Sequence, residues 1–345
     1  MNSYIPYMGG KGCVCDSLVQ AMPPEAQVSY IEVFLGGASV YLSKPAARVN
    51  VLNDIDADII LTHQTVASDA EAVMAELARL PTSRLLYEET RTLRDSVAWF
   101  DLTPVQRSAR IIYLHDCAFN GNPRSPFSAS AMTPLRVKPG IDLHPFAEKL
   151  RHATFECLDW SELLDRYVLQ PRKIRCLVFA DPPYVAATKS AHYRHRFDHL
   201  DHVMLARKLA LINEKNGGDR SVRIMVTCDD DEAGFIRSLY RAEFGWHVRP
   251  LSIRYAAGHH SHETQELLLT NYDPDSVASS GTPAPRVDWS DIPCDGQSMG
   301  GRRFEELSCC EKERFGLLLQ TMQRGQCRAC GAKVAVAKAK EGVRS

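Results

Sequence analysis

Leu177-Val178-Phe179-Ala180-Asp181-Pro182-Pro183-Tyr184 is the stretch on which the fold reading turns. An apolar, partly β-branched run stops at an acid, two prolines and an aromatic ring. Its length and composition predict a buried strand of a parallel sheet, and the prolines prevent that strand from continuing. Asp181 and Tyr184 are therefore expected just past a strand's carboxyl end, where open α/β sheets form their ligand crevice. Pro182 has no N–H, the residue before a proline is held extended, and an ionised Asp181 only accepts. Such a turn suits a planar group carrying two N–H donors, and the Tyr184 ring offers a face on which a flat base stacks. An exocyclic amine of a nucleobase meets all three features. An ordinary Pro-Pro strand end is the competing reading of the tetrapeptide taken alone.

Two more strand-turn-helix units lie upstream. Val28-Ser29-Tyr30-Ile31-Glu32-Val33-Phe34-Leu35-Gly36-Gly37-Ala38-Ser39-Val40-Tyr41 reads as a strand, a glycine turn and the start of a helix, the unit on which nucleotide-like cofactors commonly sit. GxGxxG is absent, so a dinucleotide is not indicated. Val49-Asn50-Val51-Leu52 forms the second strand and ends in Asn53-Asp54-Ile55-Asp56. An acid at that tip grips ribose hydroxyls or caps the next helix. Near the start, Ile5-Pro6-Tyr7-Met8-Gly9-Gly10-Lys11-Gly12 makes a flexible turn whose amides and ammonium suit an anionic group, without the spacing of a P-loop.

Residues 57 to about 118 read as helices, among them Asp69–Leu80 (with Asp69 as N-cap and Pro81 as stop), Arg84–Trp99 and Pro104–Cys117. Arg79, Arg84, Arg91, Arg94, Arg107 and Arg110 are expected on solvated faces. From Phe119 to Gly140 the pattern breaks into a long basic loop, a length that in compact domains is functional or disordered. It carries Asn120, Asn122, Arg124 and Lys138, types that read base edges and phosphates. Further on, Ala153–Leu158 reads as a strand followed by Asp159-Trp160, with Asp159 a potential N-cap, and Asp198–Asn216 as a helix. Val222–Thr227, Trp246–Arg249 and Glu266–Asn271 complete a sheet. His195, His199 and His202 share a helical face if the helix begins early, but they meet no strict ligand template, so phosphate contact or plain surface is expected over a metal.

With 345 residues the chain accommodates a large domain plus an insertion or a tail. Its formal net charge of −1 excludes a global basic footprint, so any nucleic-acid surface must be local. Eleven cysteines, without a signal peptide or a membrane-length apolar run, predict a reducing cytoplasmic setting. Cys117, Cys157, Cys176 and Cys228 are expected as buried small hydrophobes. Beyond Asp273 a Pro-, Ser- and Gly-rich linker leads to a basic tail in which Cys309, Cys310, Cys327 and Cys330 offer four thiolates to zinc. Adjacent Cys309 and Cys310 make a poor half of such a site, and reduced thiols are the favoured reading.

Asp181-Pro182-Pro183-Tyr184 resembles the catalytic motif of the methyltransferases that modify adenine N6 in DNA. Roughly residues 5 to 272 resemble their Dam-like (D12 class) branch, with cofactor site, recognition insert and catalytic tetrapeptide in the family order. The resemblance implies an α/β fold: a Rossmann-like S-adenosylmethionine-dependent methyltransferase sheet with a helical and loop target-recognition insertion and a C-terminal tail. The implied division is a catalytic domain over 1–60 and 150–273, an insertion over 61–149, a linker over 274–302 and a small cysteine-containing basic segment over 303–345. The implied cofactor, S-adenosyl-L-methionine, would be held by Tyr7, Lys11, Glu32, Phe34, Gly36, Asp54, Asp159 and Asp181. Tyr7 would pack on the methyl donor, Lys11 would lie near donor or target base, and Asp159 would lie beside the donor's adenine. Asp181, Pro182, Pro183 and Tyr184 would be catalytic, and Asn120, Asn122, Arg124 and Lys138 would meet double-stranded DNA. A cognate restriction endonuclease is a further candidate partner.

In the implied reaction an adenine leaves the duplex and stacks on Tyr184, while Asp181 and the Pro182 carbonyl accept its two N–H bonds; neither a nucleophilic cysteine nor a metal is needed. Val33 and Ala38 stand where the family usually has proline and glycine, and Ser125 to Thr133 replaces its usual recognition pattern. Cytosine-N4 or RNA base methylation uses the same amine logic. Protein-amide methyltransferases usually carry Asn in place of Asp181, and a catalytically inactive DNA-binding regulator is the alternative from another class.

Overall fold

The computed structural model describes residues 3–7, 9–128, 141–170, 174–184, 197–216, 221–231, 233–257 and 260–276. Lys138, His195, Cys309, Cys310, Cys327, Cys330 and the linker beyond residue 276 lie outside them. The strands are β1 (Ser29–Glu32), β2 (Val49–Asn53), β3 (Thr154–Glu156), β4 (Cys176–Ala180), β5 (Val222–Asp229), β6 (His247–Ala257) and β7 (His260–Thr270). The helices are α1 (Cys15–Gln20), α2 (Glu25–Val28), α3 (Ser39–Ser43), α4 (Ala57–Leu77), α5 (Arg84–Arg94), α6 (Pro104–Cys117), α7 (His144–Leu150), α8 (Trp160–Tyr167), α9 (His199–Lys215) and α10 (Phe235–Leu239).

The strands form one seven-stranded sheet in the order β3-β2-β1-β4-β5-β7-β6. β3, β2, β1, β4 and β5 run parallel, and β7 then pairs antiparallel to both β5 and β6. The strand order reverses between β1 and β4, where such sheets open a crevice at their carboxyl ends. This is a Rossmann-like, mostly parallel α/β architecture.

Helices cover both faces, which is why all five residues of β4 are buried and apolar rather than alternating. Tyr30, Leu52, Phe179 and Met225 share one core with Val66 and Val73 of α4, Tyr113 of α6 and Leu150 of α7. Ile31, Val178 and Ile224 share the other with Leu164 of α8, Leu209 of α9 and Ile236 of α10. The described helices of the middle segment therefore bury against the sheet itself, and position 60 falls inside α4.

Tertiary contacts reset several local expectations. α4 starts at Ala57, where the helical segment is expected to begin, and is capped by Asp56. It runs through a kink at Asp69 (φ −149°, ψ 64°), where the Asp69 carboxylate accepts from Ala72 N, rather than leaving a separate helix capped there. α5 stops at Arg94 instead of running to Trp99, and Val97–Asp101 forms a 3-10 turn. That turn seats the Trp99 indole, which donates to Asp58 Oδ1 at 2.9 Å. Arg94 and Arg107 are not on solvated faces. Arg94, 9 % exposed, donates to Asp56 at 2.9 Å and Asp58 at 3.1 Å, and Arg107 also pairs with Asp58. Arg110 bonds Glu76 at 2.9 Å, while Arg79 stays exposed. Among the four cysteines expected inside, Cys117, Cys176 and Cys228 are buried, but Cys157 is exposed past the end of β3, an edge strand of the sheet.

Removing one partner from a buried ion cluster leaves the other charge without compensation, which costs several kcal/mol. Arg94→Ala is therefore expected to lower unfolding stability by about 3 kcal/mol, read by urea titration. A loss within the range of an ordinary surface substitution would show that Asp56 and Asp58 do not depend on it.

Candidate active site

The carboxyl ends of β1, β2 and β4 converge on one cleft of about 1150 Å³, its open mouth included. Tyr7, Lys11, Glu32, Phe34, Gly36, Asp54, Asp159, Asp181, Pro182, Pro183 and Tyr184 all line it. Every residue expected in the cofactor and catalytic sets thus faces a single cavity, although they come from positions 7 to 184 of the chain.

The glycine turn after β1 forms one wall. Gly36 has φ +47°, a left-handed backbone that glycine adopts at little cost, and a Cβ there would sit 3.0 Å from the Tyr7 ring. Both its backbone groups are tied: its N–H donates to Asp54 Oδ2 at 2.8 Å, and its carbonyl is 2.8 Å from His63 Nε2. Burial pushes His63 down to about 4, so at neutral pH the ring is uncharged, donates to Gly36 and accepts from the Tyr4 hydroxyl at 2.5 Å. Ala38, where the family usually has glycine, also adopts the left-handed region at φ +60°. Asp54 also accepts from Asp56 N at 2.9 Å, and burial raises it to about 6. Its structural duty is to hold the turn, and the cap of α4 is Asp56. Asn53 bonds Val33 O and exchanges two bonds with the Leu158 backbone, fastening the tips of β1, β2 and β3 together. Asp159 caps α8 through Ser161 N at 2.9 Å and remains exposed at the cleft.

The Asp181-Pro182-Pro183-Tyr184 turn after β4 is the most charged part of the cleft. Lys11 Nζ, in a side chain only 2 % exposed, lies 2.6 Å from Asp181 Oδ1, 2.7 Å from Oδ2 and 3.5 Å from Glu266 Oε2. The ammonium that the glycine-rich amino terminus offers is therefore taken up by the chain's own acids. Thr227 donates to Asp181 Oδ1 at 2.7 Å, and the Tyr184 hydroxyl donates to Glu266. Burial raises the Asp181 carboxyl, Lys11 pulls it back down, and Glu266 acts in the same direction as burial. His202 reaches the Pro183 carbonyl, and its ring meets Phe197 edge-on at 4.7 Å. Burial pushes it down to about 3, so it is neutral. Among the described residues, no group of three or more His, Cys, Asp or Glu is arranged to hold a metal ion.

Of the expected DNA-contacting residues, Asn120, Asn122 and Arg124 lie beside the cleft, on the loop that follows α6. Asn120 (φ +55°) and Arg124 are exposed. Asn122 is buried, and its side-chain Oδ1 accepts from Arg124 N at 3.0 Å to close the turn. This loop rests on the amino-terminal segment: His115 Nδ1 lies 3.1 Å from Pro6 O and 2.9 Å from Gly121 O, and the His115 ring stacks on Tyr7 at 5.1 Å.

Thr227, His63 and Glu266 bond the residues that line this cleft and were not legible as site residues, whereas His202, expected at the surface or on phosphate, is buried against the Pro183 carbonyl. Glu266 left one trace, a charged residue opening an otherwise apolar strand. Thr227 left none, because threonine is ordinary in a strand.

Comparison with known proteins agrees with this geometry. The family model for D12 class N6 adenine-specific DNA methyltransferases matches residues 7–250. The DNA adenine methylase of Vibrio cholerae serotype O1 is 25 % identical over 250 residues, covering 69 % of this chain and 84 % of that protein. The retron Ec67 DNA adenine methylase of Escherichia coli is 24 % identical over 286 residues, 78 % of this chain and 92 % of the relative. The DNA adenine methylase of Serratia marcescens is 27 % identical over 204 residues, 55 % and 70 % respectively. A family match over more than two thirds of the chain, on a sheet with this strand order and this cleft, settles its membership: the chain belongs to the D12 class N6 adenine-specific DNA methyltransferase family.

Proposed function

We propose that this protein is a site-specific DNA methyltransferase that moves a methyl group from S-adenosyl-L-methionine to the N6 amine of an adenine swung out of double-stranded DNA. The observation that carries the reading is Asp181 at the end of β4, facing the cleft beside Tyr184, at the point where the strand order reverses. The donor set fits the cofactor: Glu32, Asp54 and Asp159 offer acceptors to its amine and hydroxyls, and Tyr7, Phe34 and Trp160 offer ring surface. When bound, S-adenosyl-L-methionine supplies an electrophilic methyl group on a sulfonium.

The chain's own groups do the rest. An amine inside a duplex is out of reach, so the target base must leave its stack. Tyr184 offers it a ring face, and Asp181 with the Pro182 carbonyl accepts its two N–H bonds. Accepting both bonds draws the nitrogen lone pair out of conjugation and aims it at the donor half of the cleft. Positioning and fixed electrostatics then supply much of the acceleration. Asn120 and Arg124, exposed beside the cleft, are placed to meet base edges or phosphates.

Asp181→Ala is expected to lower methylation by at least about a thousandfold, the scale of losing a preorganised electrostatic group, with donor affinity largely kept. Mass analysis of nucleosides from treated DNA measures it; normal N6-methyladenine from the mutant, or methylcytosine from the parent, would refute the assignment.

Glu32 gives a pH test. Burial pushes its carboxyl up to about 8, with the Tyr30 hydroxyl donating to it at 2.9 Å, so at pH 7 the donor-free site holds it protonated. A cation beside it favours the ionised form and lowers that value, so donor binding at pH 7 should release up to about one proton. The release should vanish above pH 9 and in Glu32→Gln. Calorimetry in buffers of different ionisation enthalpy reads it; buffer-independent heats in the parent would remove Glu32 from the donor contacts.

A further inference from the structure

Glu266 sits on β7, in register with Asp229 of β5 and Leu251 of β6, and its side chain is 3 % exposed. A carboxylate in that position is costly to desolvate, and an apolar side chain would serve the strand better. Its surroundings give it a task. Oε1 accepts the Tyr184 hydroxyl, Oε2 lies 3.5 Å from Lys11 Nζ, and that same ammonium grips both oxygens of Asp181. The Lys11 ammonium also stands 3.4 Å from the Tyr184 hydroxyl and 5.2 Å from the centre of its ring. One cation is thus shared by two carboxylates, one on the catalytic turn and one on the closing antiparallel strand.

We infer that Glu266 is a positioning residue for the catalytic turn, fixing the Tyr184 ring through its hydroxyl and dividing the Lys11 charge with Asp181. The inference rests on the roles proposed above for Asp181 and Tyr184, and adds the element that orients one and tunes the other. Hydrogen bond and charge separate by substitution. Glu266→Gln keeps an acceptor for the Tyr184 hydroxyl and removes the negative charge. Glu266→Ala removes both. Tyr184→Phe leaves Glu266 in place but frees its Oε1, so that more of the Lys11 charge is drawn away from Asp181.

The first readout needs no turnover. Carboxyl-carbon NMR of the full-length, donor-free protein, labelled at aspartate and assigned with Asp181→Asn, reports the Asp181 titration directly. Removing a nearby like charge favours ionisation, so Glu266→Gln should move its midpoint to lower pH by about half a unit or more. Lys11→Met and Tyr184→Phe should move it to higher pH. The second readout is kinetic. Glu266→Gln should shift the acid limb of the kcat/KM profile to lower pH with KM for DNA little changed, whereas Glu266→Ala should raise KM and lower kcat together. An Asp181 midpoint that is unmoved in Glu266→Gln, or that rises, overturns the inference. If Glu266→Gln fails to fold, an unmoved midpoint in Tyr184→Phe does the same. A parent enzyme that methylates no adenine, with the midpoints shifting as described, would instead defeat the proposed function and leave the charge sharing standing.

Discussion

A lysine ammonium buried between two carboxylates is the interaction on which this site depends. Taking three charges out of water costs several kcal/mol each, and only close, multiply bonded geometry offsets the loss. Lys11 meets that condition by touching both oxygens of Asp181 while Glu266 stands 3.5 Å away. The three residues come from the amino-terminal segment, the turn after the fourth strand and the last strand of the sheet. Their convergence requires β4 to lie centrally, and β7 to insert antiparallel between β5 and β6. A different strand order would strand at least one of these charges in the core.

A second constraint shapes the opposite wall. Gly36 at φ +47° is held at its N–H by Asp54 and at its carbonyl by a neutral His63, while the Tyr7 ring presses on the space a side chain would fill. Tyr7 stacks in turn on His115, whose Nδ1 lies within hydrogen-bond reach of Pro6 O and Gly121 O. Gly121 admits the Pro6 carbonyl, which a Cβ would meet at 2.7 Å. The glycine turn, the amino terminus and the loop bearing Asn120 and Arg124 are therefore packed as one unit. Two stacked rings, Tyr7 and His115, link that loop to the cleft wall.

Fold alone would not identify the chemistry, since doubly wound sheets host many reactions. What narrows it is the local character of one turn: an acid and proline carbonyls beside a ring, in a cleft lined by further acids. The acids around it, buried Glu32, Asp54 and Glu266 with partly exposed Asp181, give the cleft an appetite for cationic and amine groups. An amine acceptor and a sulfonium donor are both groups of that kind.

The amino-acid sequence by itself determined the parallel strands, the glycine turn, the Asp181-Pro182-Pro183-Tyr184 strand end and the start of the loop after α6. Each is written in residues adjacent along the chain: an apolar run stopped by prolines, glycines where the backbone turns back, a polar stretch where helical spacing ends. Only the tertiary structure decided which charges meet. Arg94 and Arg107 look like surface residues until Asp56 and Asp58 come within reach, and Asp54 looks like a cap until Gly36 claims it. Glu266 looks like a strand-edge acid until Lys11, 255 positions earlier in the chain, is folded against it. Pattern along a chain records propensity and burial, which are local. Electrostatic partnership depends on distance in space, and the chain does not carry that information until the sheet is assembled.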